Sequence, residues 1–188
     1  PTSKQYWEAG NFALSKEEYA AAARCFEAAI EGGLNEPTVW NNLAVSWNRI
    51  QEYDRAGWAF REALALPQVP AYVWANYGRL LIRTEEWRSA ASAFDRASKL
   101  ESDNLTYIIS EAYSWLKSGK PQASITLLEA ILSPESESPQ GHLILVESYL
   151  TAGERDQAHD WLKRAISGSS IPELRIAHAS LLIERQML

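Results

Sequence analysis

Cysteine is almost missing from this sequence. Cys25 is the only one in 188 residues, so no disulfide can close within the chain and no multi-cysteine metal site can form. No apolar run approaches the ~18 residues needed to cross a bilayer, and no basic-then-apolar leader stands at the start. The first residue is Pro1 rather than Met. That leaves a removed leader open, and with it the choice between a cytoplasmic and a periplasmic soluble protein. Positive charge is also short: 18 Lys and Arg against 24 Asp and Glu give a net charge of −6. A nucleic-acid surface needs an excess of cations to displace phosphate counterions, so neither nucleic acid nor an anionic membrane is the expected partner. There is no Gly-rich phosphate loop, no nucleophilic serine elbow and no His-Glu metal motif. His142, His159 and His178 stand apart in sequence and read as ordinary helix residues. The expectation is a protein without catalytic activity, cofactor or metal.

What the chain has in quantity is tryptophan, eight in all. Trp40, Trp47 and Trp58 fall within nineteen residues. They raise the choice between a ligand surface and a packing device. Sliding the sequence against itself by 34 decides it for most of them. Phe26, Phe60 and Phe94 come into register, as do Ala22, Ala56 and Ala90, then Ala29, Ala63 and Ala97. Tyr19, Tyr53 and Trp87 align, and so do Tyr6, Trp40 and Trp74. Small residues recur at Gly10, Ala44, Gly78 and Ala112. A fixed period of this length marks a stacked repeat. Within one unit, Trp40, Leu43, Ala44 and Trp47 make one stripe of a helix. Ala56, Phe60 and Ala63 make the stripe of a second. The small column lets two helices approach, and the Phe column fills the space between neighbours. One such hairpin cannot bury its apolar faces alone, whereas stacked copies can. Trp40, Trp47 and Trp74 are therefore packing residues. Trp58 lies off the stripe, either against a neighbouring repeat or exposed on the outer face. Cys25, beside the Phe26 column, is expected to be a small buried hydrophobe. The pairs Glu17-Glu18 and Glu85-Glu86 sit at turn-to-helix junctions, where acidic residues suit a helix N-terminus.

These columns resemble the tetratricopeptide repeat, a 34-residue helix-turn-helix unit with W-x2-L-G-x2-Y, then A-x3-F-x2-A, then Pro. Residues 37–70 carry the likeness in Trp40, Leu43, Ala44, Trp47, Tyr53, Ala56, Phe60, Ala63 and Pro67. The resemblance implies an all-α, right-handed superhelical solenoid as one domain over residues 1–188. Its repeats would run over about 3–36, 37–70, 71–103, 104–137 and 138–171, with a last helix over 172–188. The fourth repeat is degenerate: its second helix is expected to slip by one residue, putting Ala123, Leu127 and Ala130 in the consensus columns. Pro172 opens the last helix at its first helical position. This helix reads as a cap or as half of a sixth repeat.

In the family this resembles, first helices line a concave groove that binds other proteins. Carried over column by column, the groove would include Trp7, Asn11, Asn42, Asn48, Arg49, Tyr72, Asn76, Arg79, Arg83, Tyr113 and Lys117. Asn42 and Asn76 are 34 apart and would stand one above the other. An amide both donates and accepts, so such a pair can hold a peptide backbone without reading its sequence. The superhelical domain of O-GlcNAc transferase is similar in using an asparagine ladder. Arg49, Arg79 and Arg83 add cationic forks suited to carboxylates. The chaperone-binding members grip a terminal carboxylate with Lys, Asn, Asn, Lys, Arg; the matching positions here are Trp7, Asn11, Asn42, Tyr72 and Asn76. The asparagines remain and all three cations are gone, so a chaperone C-terminus is not the expected ligand. The expected function is a non-catalytic scaffold that binds an extended peptide or helix of a partner protein. Two alternatives accompany it. One is a self-assembling or spacer module of a larger complex, docking another copy or the rest of a longer array through apolar residues of the last helix, Leu174, Ile176, Leu181, Leu182, Ile183 and Leu188. The other is RNA binding by an array of helical repeats of similar length.

Overall fold

The computed structural model describes the backbone of residues 1–168 and 171–186 and the side chains of all of these through residue 180. The described residues are helical throughout, with short turns and no strand. They form two compact units, residues 1–102 and 103–188.

In the first unit, α1 (Ser3–Ser15), α3 (Pro37–Arg49) and α5 (Ala71–Arg83) alternate with α2 (Tyr19–Glu31), α4 (Tyr53–Ala65) and α6 (Trp87–Leu100). Each first helix packs on its own second helix, and α2 and α4 pack on the next hairpin. The second unit contains α7 (Leu105–Lys117), α8 (Pro121–Ile131), α9 (Pro139–Thr151), α10 (Arg155–Gly168) and α11 (Pro172–Gln186). There α11 packs on α9 and α10. First helices start at 3, 37, 71, 105 and 139, and second helices at 19, 53, 87, 121 and 155. The 34-residue period holds without a break.

That result corrects the slip expected in the fourth repeat. Ser124 and Leu128 are buried in the consensus columns, while Ala123 and Leu127 are half-buried and Ala130 is exposed. The expectation followed residue identity, and the structure follows volume and register. Phe26, Phe60 and Phe94 in the first unit, and Leu128 and Leu162 in the second, are each fully buried at this position of the repeat. Each contributes about 1.5–3 kcal/mol by leaving water. Opposite the rings stand residues without bulk. A Cβ added to Gly10 would lie 2.6 Å from the Phe26 ring, and one added to Gly78 would lie 2.8 Å from the Phe94 ring. The close approach of each pair of helices thus requires glycine at these two places.

The turn inside each hairpin is equally periodic. Each first helix ends with one residue in the left-handed region: Glu17 (φ 59°), Gln51 (67°), Glu85 (61°), Gly119 (80°) and Gly153 (82°). The next amide then reaches back five residues, as in Glu18 N to Ala13 O (2.9 Å), Glu52 N to Trp47 O (2.9 Å), Glu86 N to Leu81 O (2.8 Å), Lys120 N to Trp115 O (3.0 Å) and Glu154 N to Tyr149 O (2.8 Å). This is the Schellman closure, which satisfies carbonyls left over at a helix end. The Glu17-Glu18 and Glu85-Glu86 pairs therefore are the turn itself. Neither Glu18 nor Glu86 makes a side-chain cap.

The tryptophans pack as the columns require, with one refinement. Trp58 is 44% exposed, yet its ring meets Trp40 edge-on at 5.1 Å and Trp47 at 6.0 Å. It leans on the first helix of its own hairpin rather than standing free. Arg55 covers the other tryptophan, 4.1 Å above the Trp47 ring, and pairs with Glu27 of α2 at 2.7 Å. Cys25 is half-buried rather than buried, because it points away from the Phe26 stripe.

In the second unit the histidines have partners that sequence separation hid. His142 is fully buried; it accepts from Trp161 Nε1 at Nδ1 (3.1 Å), and its Nε2 lies 2.7 Å from the Ser136 carbonyl. Since a carbonyl can only accept, the ring is the Nε2–H tautomer. It ties the acidic stretch 133–138 to the core. His159 and His178 face each other across α10 and α11 at 3.1 Å. Burial, then the neighbouring His159 and Lys163, hold His178 below the usual histidine range.

The shared turn geometry gives a paired test. Gly119 has a left-handed backbone and open space where a Cβ would point, so Gly119→Ala should lower unfolding free energy by about 1 kcal/mol through backbone strain alone. Gln51→Gly at the equivalent turn should leave stability level or raise it by a similar amount, since relief of strain opposes the added chain entropy. Urea unfolding of both variants against the parent measures the difference.

Candidate functional site

The first-helix face of unit 1 carries most of the residues singled out by the repeat columns. Their positions follow from the helix stripes. Positions that turn away from the second helices carry polar residues in α1, α3 and α5, and these meet the neighbouring first helix across the α1–α3 and α3–α5 contacts.

The amides on this face form one connected chain. Arg79 Nη1 donates to Asn76 Oδ1 (2.7 Å), and Asn76 Nδ2 to Asn41 Oδ1 (2.9 Å). Asn41 Nδ2 donates to Asn42 Oδ1 (3.0 Å), and Asn42 Nδ2 to Asn11 Oδ1 (2.9 Å). Asn42 and Asn76 therefore do not stand alone as two rungs. Asn41, 3% exposed, lies between them. Every bond runs in the same direction, with a guanidinium at the donor end, an arrangement in which each bond polarises the next. The chain crosses all three first helices and pins them together. The repeat columns alone do not single out Asn41, because a period of 34 does not show which amide fills the gap between two helices.

The arginines sort into two kinds. Arg49 and Arg83 occupy equivalent positions in the last turns of α3 and α5. Each guanidinium lies over the tyrosine that opens the preceding repeat's second helix: Arg49 is 5.7 Å from the Tyr19 ring and Arg83 is 5.2 Å from the Tyr53 ring. Arg83 also donates to the Tyr53 hydroxyl at 2.8 Å. Arg79 instead turns onto the amide chain. All three are exposed. None forms an ion pair among the described residues, where Arg55, Lys99 and Lys117 do.

The remaining residues fill out the face or leave it. Thr38 and Tyr72, one repeat apart, share a hydrogen bond of 2.9 Å between their hydroxyls. Trp7 is half-buried against the core of unit 1, and its Nε1 is buried without a hydrogen-bond partner, as is Asn48 Oδ1. Both are thus packing positions more than open contact points. Tyr113 and Lys117 belong to α7 in unit 2. Lys117 Nζ pairs with Glu147 Oε1 at 2.7 Å and lies 5.4 Å from the Tyr113 ring. The hydrogen bond to Glu147 raises the lysine pKa. Lys117 is thus a paired cation. On the last helix, Leu174 is fully buried, which removes it from the apolar surface expected of α11, while Ile176 is 69% exposed. The side chains of Leu181, Leu182 and Ile183, and Leu188 as a whole, lie outside the described residues.

What this arrangement can do is bind. No cluster of three or more His, Cys, Asp or Glu that could hold a metal occurs among the described residues, and none of their helices is long and apolar enough to cross a membrane. The amide chain makes its own prediction. Asn41→Leu should lower unfolding free energy by about 1 kcal/mol, because Asn76 Nδ2 and Asn42 Oδ1 would each lose a partner at a half-buried position. Urea denaturation of unit 1 tryptophan fluorescence reads the loss; an unchanged midpoint would show the chain contributes nothing to stability.

Comparison with known proteins agrees with the columns and the helices. Residues 7–72 match the family model described as tetratricopeptide repeat. The small glutamine-rich tetratricopeptide repeat-containing protein 2 of Mycosarcoma maydis is 24% identical over 95 residues, covering 50% of this chain and 27% of that protein's length. Among solved structures, a MamA protein superposes with a TM-score of 0.79 at 17% identity, over 88% of this chain and 91% of its own. YrrB, a repeat protein with an unusual peptide-binding site, superposes with a TM-score of 0.78 at 17% identity, over 96% of this chain and 90% of its own. With the match over residues 7–72, the unbroken 34-residue period and eleven helices among the described residues, the chain is similar to tetratricopeptide-repeat proteins, and its fold corresponds to about five repeats and one further helix.

Proposed function

We propose that this protein is a non-catalytic scaffold that holds an extended peptide or a helix of a partner protein on the first-helix face of residues 1–102. The observation that carries the reading is the amide chain from Arg79 to Asn11. Each Asn amide there has two N–H donors and an oxygen with two lone pairs. One donor on each of Asn41, Asn42 and Asn76 and one lone pair on each oxygen are used internally. The half-exposed members, Asn11, Asn42 and Asn76, keep capacity to donate to and accept from a backbone. A row of such groups suits a ligand whose own amides repeat along its length. YrrB, similar in fold, has a peptide-binding site, which supports the reading at the level of fold.

A pull-down read by mass spectrometry tests it. The bait is the full chain beside two variants: Asn42→Ala, Asn76→Ala, Arg79→Glu and Arg83→Glu together, and Arg79→Glu with Arg83→Glu alone. The second variant alters only exposed side chains and should keep the parent's circular dichroism. Proteins captured by the parent should be lost or reduced by about tenfold or more with both, as expected when a central contact is removed. A capture list unchanged in the folded double and quadruple variants would move the site off this face.

A further inference from the structure

We infer that the ligand of this face is an acidic internal segment of its partner, held in extended form, whose Asp or Glu side chains pair with Arg79, Arg83 and Arg49. The inference rests on the proposed peptide-binding role and adds the chemistry of the peptide. The protein carries six more acidic than basic side chains, yet this face presents Arg49, Arg79 and Arg83, exposed and in no ion pair among the described residues. Three such guanidiniums occur together, two of them four residues apart on one helix. Arg79 spends one of its five donors on Asn76, and Arg83 spends one on Tyr53. The rest of each fork points at no carboxylate among the described residues. Tyrosine stacking holds Arg49 and Arg83 in place, which lowers the entropy lost on capturing an anion.

The position of the charges argues against a terminal carboxylate. The clamp positions for a chain end are occupied by Trp7 and Tyr72, and neither can form an ion pair. The cations here lie at Arg79 and toward the C-terminal ends of α3 and α5, beside the amide chain rather than around one point. Backbone amides of a ligand would meet Asn11, Asn42 and Asn76, and its acidic side chains would reach the arginine edge. A basic or neutral segment would leave the forks without a partner.

An array of random peptides of about twelve residues tests this, long enough to cross the face when extended at ~3.3 Å per residue. The peptides are acetylated and amidated, so that no terminal charge contributes, and they are graded from acidic through neutral to basic. The probe is the labelled full chain. Binding should rise with acid content, exceed that of neutral peptides by about tenfold or more, and fall in about 0.5 M salt. Arg79→Glu with Arg83→Glu should reverse the preference toward lysine-bearing peptides, while Arg55→Glu, on a different helix and already paired with Glu27, should leave it unchanged. Equal binding of neutral and acidic peptides that still depends on Asn42 and Asn76 would overturn the acidic preference and keep the peptide-binding role. An acid preference indifferent to the arginine reversals would place the acidic site elsewhere and overturn the inference. Failure to bind any peptide would overturn both.

Discussion

The contact between a large residue on each second helix and a small one on its first helix governs this structure. Phe26 lies where Gly10 allows it, and Phe94 where Gly78 does. The rings are fully buried, so they fix the distance and angle of each hairpin. Once that geometry is set, the same stripe meets the next hairpin in the same way, and the repeat can stack. Interiors packed to this density tolerate little change of volume. The fourth repeat carries Leu in place of Phe and Ser in place of Ala and still keeps the register. Leu128 fills the large position, and Ser124 keeps the small one while its hydroxyl meets Ser148 at 2.8 Å.

The turn is the second fixed element. A left-handed residue followed by the five-residue backbond recurs in all five hairpins. Only the last two use glycine there. The first three put Glu or Gln in a conformation that costs L-residues energy, so their turns are held by the packing on either side. Unit 1 has the buried phenylalanine column to hold them, and unit 2, with leucine in that column, has the glycines.

The polar face is built on this frame and has a different logic. Its amides are not isolated contact points. They are connected from Arg79 to Asn11, so each residue's partner is set by the helix beside it. Arg49 and Arg83 are likewise inter-repeat stacking residues and exposed cations at once. The side chains proposed to contact a ligand are the same ones that hold one repeat to the next.

The sequence by itself determined the helices, their period and the buried columns of the first three repeats, because these depend on residue volume and spacing along one chain; in the fourth repeat the structure decided which residues fill the columns. Phe60, Ala56 and Ala63 could be placed with no coordinates, and so could the first-helix columns of the polar face. Only the tertiary structure decided the partners. It put Asn41 between Asn42 and Asn76, gave Lys117 to Glu147, covered Trp47 with Arg55, joined His142 to Trp161 and buried Leu174. It also left Arg49, Arg79 and Arg83 without carboxylates among the described residues. A period fixes which residues share a face. Which side chains meet across two helices depends on their separation and crossing and on rotamers a few ångströms long, and a one-dimensional pattern does not carry those.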